Sequence, residues 1–321
     1  MKKTIISVIL ISWASITAIA QQIDNTLSYK NINTDSYFRL NYENDFFSAT
    51  DEYYTQGIHI EIVSPSIKKF PFTKLFIQKN GYRRFGIGLE HDGYTPTSIQ
   101  HTELLYGDRP FAGVLLLKTF EIIVDTIRKD RFSLSFTTGV IGQAAGAAEM
   151  QTGIHRWLNN VTPEGWKYQI HNDAVINYQC DYEKQLYAFK NIISIDADAI
   201  ARVGSLSDKA AIGTSILIGY FDSPFSSSIC DKNHFRIYAY EHAQENLVGY
   251  DATLQGGVFD HTSPYTISSG NIERIVFENR FGFVVAYKNL FLEYFQSFLT
   301  PEFKTGYYHV WGGIQIACSI K

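Results

Sequence analysis

Strict alternation of apolar and polar positions is the dominant pattern in this chain, and it predicts β-strands. The clearest case is residues 131–141, where one face is apolar and the other carries Ser, Thr and Gly. The apolar positions of that segment are Phe132, Leu134, Phe136 and Val140. The same alternation recurs in residues 209–220, 274–287 and 308–320.

The length of these segments favours a barrel in lipid over a soluble β-sandwich, which would alternate in the same way. A tilted membrane strand needs about 9–11 residues, and the polar faces are rich in Gly, Ser and charge, as a barrel interior is. Tight turns at Arg128-Lys129-Asp130 and Tyr287-Lys288-Asn289 alternate with longer loops. We therefore predict an all-β fold, a transmembrane antiparallel β-barrel of about 12 strands in a bacterial outer membrane.

One segment departs from the strand pattern. Residues 147–158 are rich in Ala, Glu, Met, Gln and Leu, and their apolar positions recur at helical spacing. We predict a short amphipathic helix there, in an extracellular loop. Gln151 and His155 are four residues apart, so they share one face of that helix.

The first 20 residues have the pattern of a secretory signal peptide. Lys2 and Lys3 precede an apolar run, and Ala18-Ile19-Ala20 is a small-residue cleavage site. We predict cleavage after Ala20 and one mature unit, residues 21–321, because no linker, repeat or low-complexity tract divides the remainder. No later apolar run reaches the roughly 20 residues that a membrane helix needs.

Composition narrows the function classes. Aromatic residues make up 15% of the chain, which suits the interfacial girdles of a barrel. A formal net charge of -4 gives no reason to expect a nucleic-acid partner. The three cysteines are too few and too scattered to predict a disulfide framework or a zinc site, and Cys318 falls on the predicted lipid-facing side of the last strand.

The connection between the first two predicted strands is unusually polar. Asn44 and Asp45 end the first strand and Thr55 lies near the start of the second, so the three should meet at the outer rim if the strands are neighbours. Their oxygens are of the kind that a hard cation such as calcium binds. The residues alone also allow a simpler interpretation, in which Asn44 and Asp45 only make a turn.

His155 allows two interpretations as well. A lone histidine on a surface helix is usually just solvated. Beside a bound cation, and with Gln151 on the same face, it could instead act as a general base on water, a task that its ordinary pKa near 6.5 suits. No Gly-x-Ser-x-Gly motif indicates a serine nucleophile.

As a whole, the mature sequence resembles the outer-membrane lipid A 3'-O-deacylases, a family of twelve-stranded barrels. Each matching piece is short, but the pieces occur in order over almost the whole mature chain. They are Glu43-Asn44-Asp45, Tyr54-Thr55-Gln56-Gly57, Gly107-Asp108-Arg109-Pro110-Phe111-Ala112-Gly113, Gly139-Val140-Ile141-Gly142, Glu149-Met150-Gln151, His155-Arg156, Gly165-Trp166 with Gln169, Thr253-Leu254-Gln255-Gly256 and Glu302-Phe303-Lys304-Thr305-Gly306.

The resemblance implies a calcium-dependent esterase whose mechanism is similar to that of secreted A2 phospholipases. His155 would activate a water, and Gln151 would be a polar residue of the active site. Asn44, Asp45 and Thr55 would surround Ca2+, which would polarise the ester carbonyl of lipid A in lipopolysaccharide and stabilise the oxyanion. The implied partners are this substrate and the outer-membrane lipids, with the barrel as a monomer.

The substrate contacts are less defined than the reaction. Residues 64–82 contain four lysines which, with Arg83 and Arg84, we consider as ligands of lipid A phosphates, although solvated surface lysines are the simpler interpretation. Two alternative functions remain open. One is an outer-membrane phospholipase that acts on glycerophospholipids with the same five residues, and the other is a non-catalytic barrel such as a porin.

Overall fold

Twelve strands close into one antiparallel barrel within the residues that the computed structural model describes, which are 32, 34–48, 52–76, 80–227 and 235–320. Each strand pairs with its neighbours in chain order, and β1 closes on β12. The predicted fold is confirmed, while the predicted signal peptide and Cys230 lie outside the described residues. The strands are β1 Tyr37–Asn44, β2 Tyr53–Val63, β3 Tyr82–Thr95, β4 Ala112–Asp125, β5 Asp130–Ile141, β6 Asp173–Phe189, β7 Ile193–Gly204, β8 Ser207–Tyr220, β9 Phe235–Asp251, β10 Ile275–Tyr287, β11 Leu290–Leu299 and β12 His309–Ser319.

The two ends of the barrel differ in their connections. One end, here called the turn end, holds the start of β1 and the end of β12, together with short turns such as residues 126–129 and 288–289. Lys129 and Lys288 adopt positive φ angles of 54° and 52° in these turns, as tight reversals require. The opposite end, here called the loop end, carries the long connections 96–111, 142–172 and 252–274.

The lysine-rich connection between β2 and β3 lies at the turn end, which corrects one sequence expectation. The two connections that flank a strand of an antiparallel barrel lie at opposite ends, so residues 64–81 cannot share an end with the loop after Asn44. Lys68, Lys69 and the other described residues of this connection are therefore remote from the helix that carries Gln151 and His155. The interpretation of these lysines as ligands of lipid A phosphates at that site is wrong.

Alternation sorts the side chains between the lipid-facing wall and the interior. In β10, Phe281 and Phe283 are exposed on the wall, while Glu278 and Arg280 are buried inside. In β12, Ile316 and Cys318 face outward and Gln315 is buried, as predicted. Inward polar groups pair with one another across the interior. These pairs include Arg39–Glu61 at 2.5 Å, Arg131–Glu183 at 2.8 Å, Lys118–Glu90 at 2.9 Å and His242–Asp198 at 2.9 Å.

Apolar side chains close the interior above and below this polar layer. Near the loop end, Tyr54, Tyr94 and Trp311 belong to one buried cluster. Near the turn end, Phe120 and Phe225 belong to a second cluster, and Phe225 comes from the connection after β8, which folds into the barrel mouth. Within the described residues, packed side chains therefore occupy much of the barrel interior.

Two helices lie at the loop end, α1 Ala147–Trp157 and α2 Ala252–Gln255. The first agrees with the predicted helix over residues 147–158. In the described part of the chain, no helix is long and apolar enough to cross a membrane.

Three connections of the loop end are tied together at Arg109. Its guanidinium pairs with Glu302 and donates a hydrogen bond of 2.7 Å to the Thr253 hydroxyl. It also lies over the ring of Tyr94, with 4.5 Å between the guanidinium carbon and the ring centroid. Because Arg109, Thr253 and Glu302 come from three different connections, one buried cation joins the loops into a single cap, here called the Arg109 clasp.

Candidate active site at the loop end

The rim between β1 and β2 is built around Asn44. Its side-chain nitrogen donates to the Thr55 carbonyl oxygen at 2.7 Å, and its side-chain oxygen accepts the Phe46 N–H at 2.7 Å. The second bond is an Asx turn, so Asn44 does form a turn, as the simpler interpretation predicted. The first bond shows that the two strands are neighbours and that Asn44 meets Thr55, as predicted.

Asp45 follows in a single 3-10 turn, Asp45–Ser48, and is almost completely buried, with 1% of its surface exposed. Its carboxylate accepts the backbone N–H of Glu52 from the other side of the same connection. Burial raises the pKa of the Glu52 carboxyl, and the nearby Asp108 carboxylate raises it further. The carboxyl groups of Glu52 and Asp108 therefore lie near each other, next to Asp45 on the same rim.

A hydrogen-bonded chain links the rim to helix α1 through Gln151. The side-chain nitrogen of Gln151 donates to the Thr55 hydroxyl at 3.1 Å. Its side-chain oxygen accepts the indole N–H of Trp166 at 2.6 Å. The indole N–H can only donate, so it fixes which end of the Gln151 amide points towards Thr55.

His155 lies one turn further along α1 and is also buried, with 8% of its surface exposed. Its Nδ1 lies 2.6 Å from the carbonyl oxygen of Val161. A carbonyl oxygen can only accept, so Nδ1 carries a proton and the lone pair of the neutral ring is on Nε2. The interpretation of His155 as a merely solvated side chain is wrong, because the ring is packed and its tautomer is fixed.

Helix α1 buries two polar side chains against the barrel, while part of its apolar surface is exposed. Gln151 and His155 are buried, while Trp157 is 81% exposed and Leu158 is exposed as well. A helix that only packs on a core would bury its apolar side chains most deeply, whereas here Met150 and Ile154 are half-buried and the two polar side chains are buried. Phe46, beside Asp45 on the rim, is also largely exposed. An apolar surface therefore borders a buried polar site.

The seat of α1 on the wall depends on close packing at Gly113 of β4. A Cβ atom at Gly113 would lie 2.6 Å from the Cβ of Ala147, so only glycine lets the first turn of the helix come this close. His91 of β3 lies below, with its Nε2 3.0 Å from the Ala145 carbonyl oxygen just before the helix. Gly146 enters the helix at a φ of +75°, a left-handed conformation that glycine adopts at little cost.

The oxygen groups of Asn44, Asp45 and Thr55 are of the kind that a hard cation binds, and Asp45 is the one carboxylate among these three residues. The described residues contain no group of three or more His, Cys, Asp and Glu side chains that could hold a metal ion. A cation would therefore use Asn44, Thr55 and backbone oxygens beside Asp45. Asp45 and Asn44 can each accept more than the one hydrogen bond described above, and calcium takes six to eight oxygens in flexible geometry.

The structure places all five predicted site residues at the loop end. It joins Asn44, Thr55 and Gln151 by hydrogen bonds, sets Asp45 directly after Asn44, and sets His155 one helical turn from Gln151. The sequence interpretation missed two partners. Trp166 was noted only as part of a matching segment, and the Val161 carbonyl has no sequence signal because any residue could supply it.

Comparisons with known proteins agree with this architecture. The family described as "Outer membrane protein LpxR" matches residues 5–320. Among curated proteins, no sequence matches this chain.

Two solved structures match this chain with different scores. LpxR from Salmonella typhimurium superposes with a TM-score of 0.73 at 19% identity, over 89% of this chain and 100% of that chain. The β domain of the Bordetella autotransporter BrkA gives a TM-score of 0.45 at 9% identity, over 89% of this chain and 99% of that chain.

Proposed function

Because this chain belongs to the LpxR family of outer-membrane proteins, we propose that it is a calcium-dependent esterase that removes the 3'-O-linked acyl chain of lipid A. The observation that carries the proposal is the buried face of α1, where Gln151 and His155 lie against a rim of oxygen ligands. A helix whose only purpose was to cover the barrel would bury its apolar face and leave these two side chains in water.

The position of the site suits a substrate in the outer leaflet. In barrels of this kind the short turns are periplasmic and the long loops face the exterior, so the loop end lies at the cell surface. The exposed side chains of Trp157, Leu158 and Phe46 offer apolar contacts beside the polar site. A lipid that presents an acyl ester from the membrane surface could contact both.

His155 is the proposed general base. Its Nδ1 proton is held on the Val161 carbonyl, so Nε2 is the atom that takes a proton from an attacking water. The Val161 carbonyl then stabilises the protonated ring through the same hydrogen bond. No serine or cysteine nucleophile is required in this route.

The remaining residues hold the site in place. Gln151, fixed by Trp166, positions the Thr55 hydroxyl, and Asn44 holds the Thr55 backbone. Asp45 supplies the charge that would bind calcium, which in its bound state would act as a Lewis acid on the ester carbonyl. A single carboxylate implies weak affinity and easy reversal by chelation.

The proposal is tested by mass spectrometry of lipid A from cells that express the protein or its His155→Ala variant. We expect one acyl chain fewer with the native protein, and a loss of roughly a hundred- to ten-thousand-fold in rate with the variant, the usual contribution of a general base. His101→Ala is the matched control, because His101 is an exposed histidine of the same end. Unchanged deacylation by the His155 variant would assign the base elsewhere.

The same assay on purified protein tests calcium and the substrate class. We expect chelation to abolish activity and added calcium to restore it, except in Asp45→Ala, whereas Glu103→Ala, an exposed acidic control, should respond as the native protein does. Full activity after extensive chelation would remove the metal from the mechanism.

Release of fatty acid from glycerophospholipid but not from lipid A would favour the phospholipase alternative. The packed interior argues against a porin.

A further inference from the structure

The connection between β2 and β3 contains an ordered segment, residues 64–76, here called the basic segment. It consists of two consecutive 3-10 turns, Pro65–Lys69 and Pro71–Leu75. Each turn begins with proline, whose fixed φ suits a first helical position. Phe70 joins them, and its N–H donates to the Ile67 carbonyl at 2.9 Å.

The basic segment lies against the outside of the barrel wall. It packs on β3 and β4, and the Tyr178 hydroxyl of β6 lies 3.5 Å from the Leu75 carbonyl oxygen. Beneath it, Phe85, Glu121 and Leu134 share one face through strand pairing, Phe85 with Glu121 and Glu121 with Leu134. Glu121 faces outward because its neighbours Phe120 and Ile122 belong to the interior cluster, and its pairing partners Phe85 and Leu134 therefore face outward as well. All three are nevertheless buried.

Glu121 shows why this cover matters. It faces the lipid side of the wall, where an unpaired carboxylate would be costly, and it forms an ion pair with Arg83 of the neighbouring strand. The basic segment shields this pair from the membrane and buries its own Ile67 and Phe76 in doing so. It is therefore a fixed part of the wall that extends into the surrounding bilayer.

The outer surface of the basic segment is apolar and cationic together. Phe70, Phe72 and Leu75 are 48%, 43% and 51% exposed. Lys68 and Lys69 are exposed, and neither has an ion-pair partner among the described residues. The sequence contains no acidic residue from position 62 to position 89, so nothing local offsets these charges.

We propose that the basic segment is a binding site for anionic glycerophospholipid of the periplasmic leaflet. The turn end faces the periplasm, and the segment extends the lipid-facing wall at that end, so lipid is the occupant that already surrounds it. Phe70, Phe72 and Leu75 contact acyl chains, and Lys68 and Lys69 contact the phosphate. The lipid A phosphates lie at the opposite end of the barrel.

The test is native mass spectrometry of the full mature barrel titrated with phosphatidylglycerol or phosphatidylcholine. We expect the native protein to retain phosphatidylglycerol in preference. Each lysine near an anionic surface contributes about fivefold in affinity, so Lys68→Gln with Lys69→Gln should weaken phosphatidylglycerol binding about 25-fold. Both side chains are exposed, and an unchanged heat-dependent gel shift would show that the variant is folded.

The matched control is Lys190→Gln with Lys288→Gln, because both lysines lie in other turns of the same end. This pair should bind phosphatidylglycerol as the native protein does. Equal retention of the two lipids by the native protein, or equal losses in both lysine pairs, would overturn a defined site. A loss of lipid A binding larger than the loss of phosphatidylglycerol binding would assign the lysines to the substrate and overturn it as well.

Discussion

At the scale of single residues, the site depends on hydrogen bonds that fix orientation. His155 and Gln151 lie on the same helix face, but their partners differ, a backbone carbonyl for one and an indole N–H for the other. Both partners come from the chain that follows α1 as it returns to the barrel. The orientations of the His155 ring and the Gln151 amide are thus set by groups that have no acid–base chemistry of their own.

Trp166→Phe isolates one of these contacts. The change removes the N–H that holds Gln151 and leaves a buried amide oxygen without its donor, which typically costs about 1–3 kcal/mol. We expect kcat to fall roughly tenfold while the barrel stays folded. The measurement is lipid A deacylation by purified protein.

Trp157→Phe is the control for this variant. Trp157 lies on the exposed face of the same helix, and its indole N–H has no partner among the residues that the structure describes. It should retain nearly full activity. If the two variants behave alike, the Trp166 hydrogen bond does not position Gln151.

The sequence was sufficient to identify the candidate site residues, but not the groups that form hydrogen bonds with them. Asn44 and Thr55 could be paired because the hydrophobic pattern makes their strands neighbours, and Gln151 and His155 because four residues make one helical turn. The Val161 carbonyl could not be predicted, since the path of a loop after a helix leaves no mark on residue type. The buried state of His155 was missed for the same reason.

At the scale of elements, the seat of α1 on β4 sets the distance between helix and rim. Gly113→Ala would place a methyl group against Ala147 at a separation that real side chains do not show, so the helix must move outward. A displacement of about 1 Å can cost up to a hundredfold in rate. We expect a ten- to hundredfold loss of kcat and faster amide exchange in α1, with the barrel intact.

Gly153→Ala is the matched control within α1. A Cβ atom there meets nothing within 4 Å, and alanine in place of an exposed helical glycine stabilises a helix by about 0.5–1 kcal/mol. Activity should be retained, with slower amide exchange in α1. Full activity and native exchange in Gly113→Ala would show that the helix tolerates a looser seat.

The strands were predictable because alternation is imposed by the membrane on one side and packed polar groups on the other. The sequence did not show at which end of the barrel residues 64–82 lie, so their lysines were considered as ligands of lipid A phosphates beside the simpler interpretation of solvated surface lysines. The order of the strands places that connection opposite the loop after Asn44, which removes it from the candidate site. A cluster of lysines indicates an anionic ligand, and the strand order of the barrel determines which membrane leaflet that cluster faces.

At the scale of the whole molecule, the Arg109 clasp joins three matching segments that are far apart in the chain. Residues 107–113, 253–256 and 302–306 resembled the family without any evident chemistry, and the structure gives them a common task at the loop end. Burial lowers the pKa of the Arg109 guanidinium, and the carboxylates of Asp251 and Asp108 counteract this effect. The cation therefore needs its anionic surroundings.

Glu302→Gln should show how much the ion pair between Arg109 and Glu302 contributes to the free energy of unfolding. Removal of one partner from a buried ion pair typically costs about 3–5 kcal/mol, because the other charge is left uncompensated. We expect a loss of about 3 kcal/mol in the free energy of unfolding, measured by urea titration in vesicles. Glu302→Gln combined with Arg109→Met should recover part of that loss, and a double variant no more stable than the single one would contradict this account.

The packed interior has a consequence for the cell that carries this barrel. Polar pairs and two apolar clusters occupy much of the interior in the part of the chain that the structure describes, so we expect ions and small solutes to cross the barrel poorly. Copies of such a protein would then accumulate in the envelope with little added leakiness towards antibiotics, bile acids or osmolytes. We therefore expect expression of the protein to be limited by its effect on the lipid coat and not by the permeability barrier.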